Sequence, residues 1–304
     1  MSNVTKIINE DVEKAVTNAL RYYAIFNYPL TIDEVHGNCK VYCDRASVQE
    51  VLDDLVENKQ IYKWQQYYST QSDIEQISIR RQDGNWLALA EEPKAKRVAA
   101  FIYKFPFVRF VGISGSLSKG YADNKSDYDF FIITDKDRLW TCRTVLHVFK
   151  KLTFIFGSQH KFCMNYFIDT HELEIGEKNQ FTAVEMASLI PVKGAKTHSA
   201  FIGSNQWVND FFPNEYKRFT PVSPPTDGRH ILKGLAESFI NLLAPNRVNK
   251  LLMRLTDVKW RKKWSKKNYP MEDYDLAFKT TLHISKNHHR NHQKKVISRL
   301  TGLK

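Results

Sequence analysis

GSLSKGYADNKSDYDFFIIT, residues 115–134, sets Gly115 and Ser116 directly after one apolar run and Asp127 and Asp129 at the start of another. The run before it, FVRFVGI (107–113), and the run inside it, DFFIIT (129–134), carry the β-branched and aromatic residues of short strands. Downstream, LWTCRTVLHVFKKLTFIF (139–156) has apolar residues at helical spacing, and KFCMNYFID (161–169) reads as a third strand. Strand, glycine turn, strand, helix, strand predicts an α/β unit around one sheet.

Alternation along a strand puts residues i and i+2 on one face, so Asp127 and Asp129 are expected to project side by side. Two such carboxylates repel, which raises a pKa unless a cation stands between them. A hard divalent ion with oxygen ligands fills that role, magnesium being usual where phosphates also bind. The turn at Gly115 and Ser116 offers backbone N–H groups and a hydroxyl to a phosphate chain, and Lys119 on the same turn adds a cation. ADNKSDYD also suits a solvated polar turn, Ser116 a helix N-cap, and Lys119 an ordinary surface position.

GISGSLSKGYADNKSDYDFFI (112–132) resembles the signature of the polymerase-β-like nucleotidyltransferase superfamily: an apolar strand, Gly-Ser, about ten residues, then Asp-x-Asp inside a β-strand. The resemblance implies a mixed-sheet core in which Asp127 and Asp129 hold two magnesium ions. Gly115 and Ser116 would hold the β- and γ-phosphates of an NTP. A third carboxylate is implied on a later strand, and FCMNYFIDTHELEI offers Asp169 there, with Glu172 and Glu174 as competitors. Asp169 is preferred because it falls on the opposite parity to Phe162, Met164 and Tyr166 and need not share their buried face. It would ligate the metal that activates the acceptor hydroxyl. The implied reaction is attack of that hydroxyl on the α-phosphorus with release of pyrophosphate, the metals stabilising the attacking and leaving oxygens.

FTAVEMASLIP (181–191) and NQWVNDFFPN (205–214) resemble segments of a narrower group of bacterial proteins that join a helical N-terminal unit to such a core. In the second segment Trp207, Phe211 and Phe212 suit anchoring on the core, while Asn205 and Asn209 suit an acceptor pocket. Arg143, on the helix after the second strand, would face either the triphosphate or solvent. Neither segment names the acceptor, which the resemblance leaves open among small molecules, proteins and nucleic acids.

Residues 1–72 have the outline of a winged helix-turn-helix. DVEKAVTNALRYYAIFN (11–27) is amphipathic and is stopped by Pro29, and Thr31 with Glu34 forms a capping-box pattern before a second short helix. Ser47 is expected to cap a third helix whose stripe is Val48, Val51, Leu52, Leu55 and Val56, and IYKWQQYYST (61–70) reads as two short strands. That third helix carries Asp53, Asp54 and Glu57, a poor charge set for a DNA groove, so packing or protein contact is expected of the unit. Residues 73–176 are expected to hold a linking helix and the nucleotidyltransferase core. Residues 177–304 are expected to form a mainly helical, basic unit, with TPVSPPTDG (220–228) as linker.

The chain has 304 residues, 26% charged, and a formal net charge of +12. The excess of Lys, Arg and His gathers from Asn246 onward, which suits either a polyanion such as nucleic acid or a solubilising face. Among its histidines, His288, His289 and His292 lie amid Lys, Arg and Asn and read as part of that basic face. Cys39, Cys43, Cys142 and Cys163 show no disulfide or zinc spacing, and plain packing or exposure is expected of the Cys39/Cys43 pair. With no signal peptide in its first residues and no apolar stretch near the ~20 residues that cross a bilayer, the chain reads as cytoplasmic. The function expected is therefore a magnesium-dependent nucleotidyltransferase; the alternative is a non-catalytic protein that binds nucleotide or nucleic acid through the winged unit and the basic tail.

Overall fold

The computed structural model describes residues 3–301 apart from 125, 154–161, 216–217, 222–230, 244–245 and 289–290, and no side chains at 3–9, 153, 292 and 301. Most of TPVSPPTDG, the end of the 139–156 helix, His289 and the side chain of His292 therefore lie outside the described residues. Three helices, α1 (Asn3–Ala24), α2 (Ile32–Asn38) and α3 (Arg45–Glu57), close over Val16, Leu20, Val35, Val48 and Leu52. Their hairpin is β1 (Tyr62–Trp64) and β2 (Tyr67–Ser69), to which Leu30 adds a bridge opposite Tyr68. The Thr31/Glu34 capping box forms on both sides, Thr31 accepting from the Glu34 N–H and Glu34 accepting from the Thr31 N–H. Asp44, not Ser47, caps α3: its carboxylate accepts from the Ser47 N–H at 2.7 Å. The helix begins one turn earlier than its apolar stripe shows, because an N-cap precedes the first residue that must be buried.

α4 (Ile74–Ile102) buries Ile77, Arg81, Ala88, Ala95, Ala99 and Ile102 on one face. It leads into β3 (Val108–Ser114), β4 (Asp129–Thr134) and, after α5 (Leu139–Thr153), β5 (Cys163–Asp169). The sheet is completed from beyond residue 176. α6 (Gln180–Ala187) precedes the edge strand β6 (Ile190–Lys193). After α7 (Ala195–Ser204), α8 (Ile231–Leu243), α9 (Asn246–Ser265) and α10 (Tyr274–Ala277) comes the other edge, β7 (Ile284–Lys286), and then α11 (His292–Thr301). Strand order is β6-β3-β4-β5-β7, with β4 and β5 parallel and the other pairs antiparallel. The protein is thus a mixed α/β fold on a mixed sheet.

Alternation along β4 sorts the layers. Phe130 and Ile132 face α4 and α5, in a core with Trp140, Leu146 and Phe167. Phe131 and Ile133 face the other way, into a core with Ala183 and Val184 of α6, Phe201 of α7 and Val296 of α11. Two polar clasps hold the N-terminal helices to the rest. Arg81 of α4 binds both Glu34 oxygens, at 2.7 and 2.6 Å, and lies between the rings of Tyr28 and Tyr67. Asn214 accepts from the Cys43 N–H and donates to the carbonyls of His36, Cys39 and Val41.

Candidate functional site

Ser114 and Asp129 stand opposite each other where antiparallel β3 and β4 meet the connecting loop. Gly115 follows at φ +73°, and a Cβ there would stand 2.5 Å from Asp129 Oδ2. Glycine alone satisfies both the left-handed backbone and the close approach of the carboxylate. The chain then makes a short 3-10 turn at Leu117–Lys119, with Leu117 buried as its peg and Gly120 closing it at φ +68°. Ser118 Oγ and Lys119 Nζ both donate to the Gly115 carbonyl at 2.9 Å, which fixes the turn against Asp129.

Burial pushes the Asp129 carboxyl up to about 6, with the negative charges of Asp127 and Glu185 adding to the rise. A hydrogen bond from Cys163 and the charge of Lys119 oppose it. Parallel pairing of β4 with β5 sets Cys163 beside Asp129, and Asn165 Nδ2 reaches Asp129 Oδ1 at 3.4 Å. The Cys163 thiol is itself pushed up to about 12, first by burial and then by the Asp129 charge.

Asp127 lies in the loop before β4 rather than on the strand, so the side-by-side projection expected from alternation does not arise that way. The loop nonetheless keeps it close enough for its charge to act on Asp129. Asp127 lines a cavity of about 280 Å³ with Glu91, Leu117, Asp123 and Tyr128. A second cavity, of about 530 Å³, shares Glu91 and Tyr128 and adds Lys94, Arg97, Phe101 and Phe162. Ser116 is exposed, and its side chain makes no cap hydrogen bond to the 3-10 turn. Lys119 is neither a plain surface lysine nor free to swing: Glu185 Oε1 holds its ammonium at 2.8 Å.

Asp169 is not brought to these residues. It pairs with Thr134 at the far end of β4, roughly 17 Å of strand from Asp129. Its carboxylate is fully buried, accepting from the Asp137 and His171 N–H groups at 3.0 Å and meeting His283 Nδ1 at 2.9 Å. The parity that recommended it breaks at a register irregularity, where the two-residue step from Asp129 to Phe131 faces a three-residue step from Cys163 to Tyr166. Glu172 and Glu174 follow Asp169 beyond that same strand end.

Glu185, Cys163 and Asn165 are what sequence reading misses around Asp129. FTAVE contained the first, yet only the packing of α6 on the sheet sets it beside Lys119. Asn205 is fully buried: it accepts from the Ile175 N–H and donates to the carbonyls of Leu173 and Phe201, each at 2.8 Å. Phe212 is buried in the second core, and Trp207 and Phe211 pack against it partly buried, so the segment does anchor there. Arg143 reaches neither solvent nor the turn; it is buried, 4.6 Å from the Trp260 ring and bonded to His147. His288 sets its ring edge-on to Tyr166. Cys39 is buried among apolar side chains, as packing requires.

Among the described residues no group of three or more His, Cys, Asp and Glu side chains is arranged to hold a metal ion. Asp127 and Asp129 supply two carboxylates, a donor set that fits magnesium where substrate phosphates and water complete the shell. A cation there would also relieve the repulsion that raises Asp129. No protein-family model, curated protein or solved structure matches the chain.

Proposed function

We propose that the protein is a magnesium-dependent nucleotidyltransferase that moves a nucleoside monophosphate from an NTP to an acceptor hydroxyl. The observation that carries this reading is the seating of Asp129 on the Gly115 turn with Asp127 beside it. Asp127 and Asp129 hold the magnesium, and the Gly115 turn with the exposed Ser116 hydroxyl receives the β- and γ-phosphates. Magnesium, when bound, supplies the positive charge that the triphosphate and the reacting oxygens require. The acceptor oxygen bonds to the α-phosphorus, the bond from that phosphorus to the bridging oxygen breaks, and pyrophosphate leaves. With Asp169 occupied elsewhere, Glu185, whose charge acts on Asp129, takes the acceptor's proton in this reading.

A second reading is nucleotide binding without transfer. It is favoured by the neutral Asn165 and the protonated Cys163 on the strand beside Asp129, where the resemblance implies an acid. Labelled ATP, GTP, CTP and UTP offered with cell extract separate the two. Transfer of label that Asp127→Asn with Asp129→Asn abolishes supports the enzyme; magnesium-dependent binding with no transfer supports the second reading.

A further inference from the structure

α8 turns an unusual face to water. Ile231, Leu232, Leu235, Phe239, Leu242 and Leu243 are each at least 63% exposed, and at 100° per residue they fall within one 120° arc. The opposite side is pinned down. Glu237 accepts from Arg109 and from the Phe107 N–H, Lys233 donates to the Tyr103 carbonyl, and Ile240 packs on the sheet core. The helix is therefore held in place with its apolar side outward, which the solubility of a surface helix does not explain.

α9 repeats the pattern with charge added. Leu251, Leu255 and Val258 are more than half exposed along one stripe. Arg247, Lys250 and Arg254 flank that stripe on one side and Lys259 on the other, with Lys266 in the turn just beyond the helix, all exposed. Inward, Asn249 accepts from the N–H groups of Trp140 and Thr141, and Trp260 is buried against Arg143. We propose that the outward faces of α8 and α9 dock on a bilayer surface that carries anionic lipid headgroups.

The occupant follows from α9, whose outward face carries apolar and basic groups together, and from α8, which packs through Ile240 on the same core that α9 meets through Leu252 and Met253. Nucleic acid would engage the Lys and Arg side chains and leave the leucines in water. A second copy would cover the leucines and set two clusters of like charge against each other, on a chain of net charge +12. An anionic bilayer satisfies both, the leucines and Phe239 entering the boundary between headgroups and acyl chains while the lysines and arginines meet the headgroups. The mode is in-plane: no helix among the described residues is long and apolar enough to cross a membrane.

The test is co-sedimentation of the full chain with phosphatidylcholine vesicles, with and without phosphatidylserine. Binding is expected only where phosphatidylserine is present, weakening as salt is raised. Leu235→Ser with Phe239→Ser should lower the partition coefficient at least about tenfold, since two large apolar side chains no longer enter the bilayer. Lys259→Gln with Lys266→Gln should lower it roughly thirtyfold. These side chains are exposed, so circular dichroism and magnesium-dependent NTP binding should be unchanged, which keeps the result separate from that of the proposed reaction. No partition onto anionic vesicles overturns the proposal, as does partition that both variants leave unaltered. A dimer in light scattering that Leu235→Ser with Phe239→Ser dissociates would assign the face to a second copy and equally overturn it.

Discussion

Asp129 Oδ2 lies 2.5 Å from the point that a Cβ on residue 115 would occupy, so the carboxylate rests directly on the backbone of the Gly115 turn. Replacing Gly115 by Ala adds left-handed strain of about 1–2 kcal/mol and forces Asp129 aside. Gly115→Ala should therefore lower stability in urea titration and abolish magnesium-dependent NTP binding. Gly120 is the control: it too has positive φ, but the nearest heavy atom to its Cβ position is 3.9 Å away. Gly120→Ala should cost similar stability and leave binding intact.

Asp129 should also trade stability for its charge. Its folded pKa of about 6 lies above the ~3.9 of an unfolded Asp, so the folded state holds the extra proton between about pH 4 and pH 6. Stability then falls as pH rises through that window, by up to about 3 kcal/mol. In magnesium-free buffer Asp129→Asn should be more stable than wild type at pH 8 by up to that amount and no more stable near pH 4. Magnesium should stabilise the wild type and not the variant. Equal stability of the two proteins at both pH values would refute the strain assigned to the carboxylate.

Asp169 and His283 form a structural pair in this account. Asp169→Asn leaves an amide among donors that now meet a full carboxylate, at a cost of about 2–3 kcal/mol. Thermal denaturation should show that loss, and NTP binding to the protein that remains folded should be unchanged. Lost binding or transfer with unaltered stability would return Asp169 to the reactive site.

Arg81 holds α4 to the N-terminal helices through the two Glu34 oxygens and the rings of Tyr28 and Tyr67. Arg81→Lys keeps the charge and loses the planar fork, so it should destabilise almost as much as Arg81→Ala, by about 2–3 kcal/mol. Urea titration that finds Arg81→Lys close to wild type would contradict the fork geometry.

What sequence could show here is local, and what it could not show is pairing between distant segments. DFFIIT matches β4 residue for residue, and the Thr31/Glu34 box forms as spacing implies, because both depend on neighbours in the chain. Asp127, just outside the strand, marks how sharply such reading degrades at an element's edge. Asp169 lies away from Asp129 for a different reason: its parity was counted along β5, while its distance from Asp129 is set by the register with β4. Glu185 meets Lys119, and Asn214 meets the loop after α2, only because segments distant in the chain pack together. Asn205 was unreadable in another sense, since a buried asparagine that closes three backbone bonds looks in sequence like one that faces solvent.

In the proposed reaction Asp127 and Asp129 hold magnesium against a triphosphate on the Gly115 turn. Equilibrium binding of each labelled NTP to purified protein, with and without magnesium, tests it most directly. Wild type should bind at least one NTP only with magnesium, and Asp127→Asn with Asp129→Asn should lose that binding while staying folded. Binding that ignores magnesium, or that survives loss of both carboxylates, would contradict it.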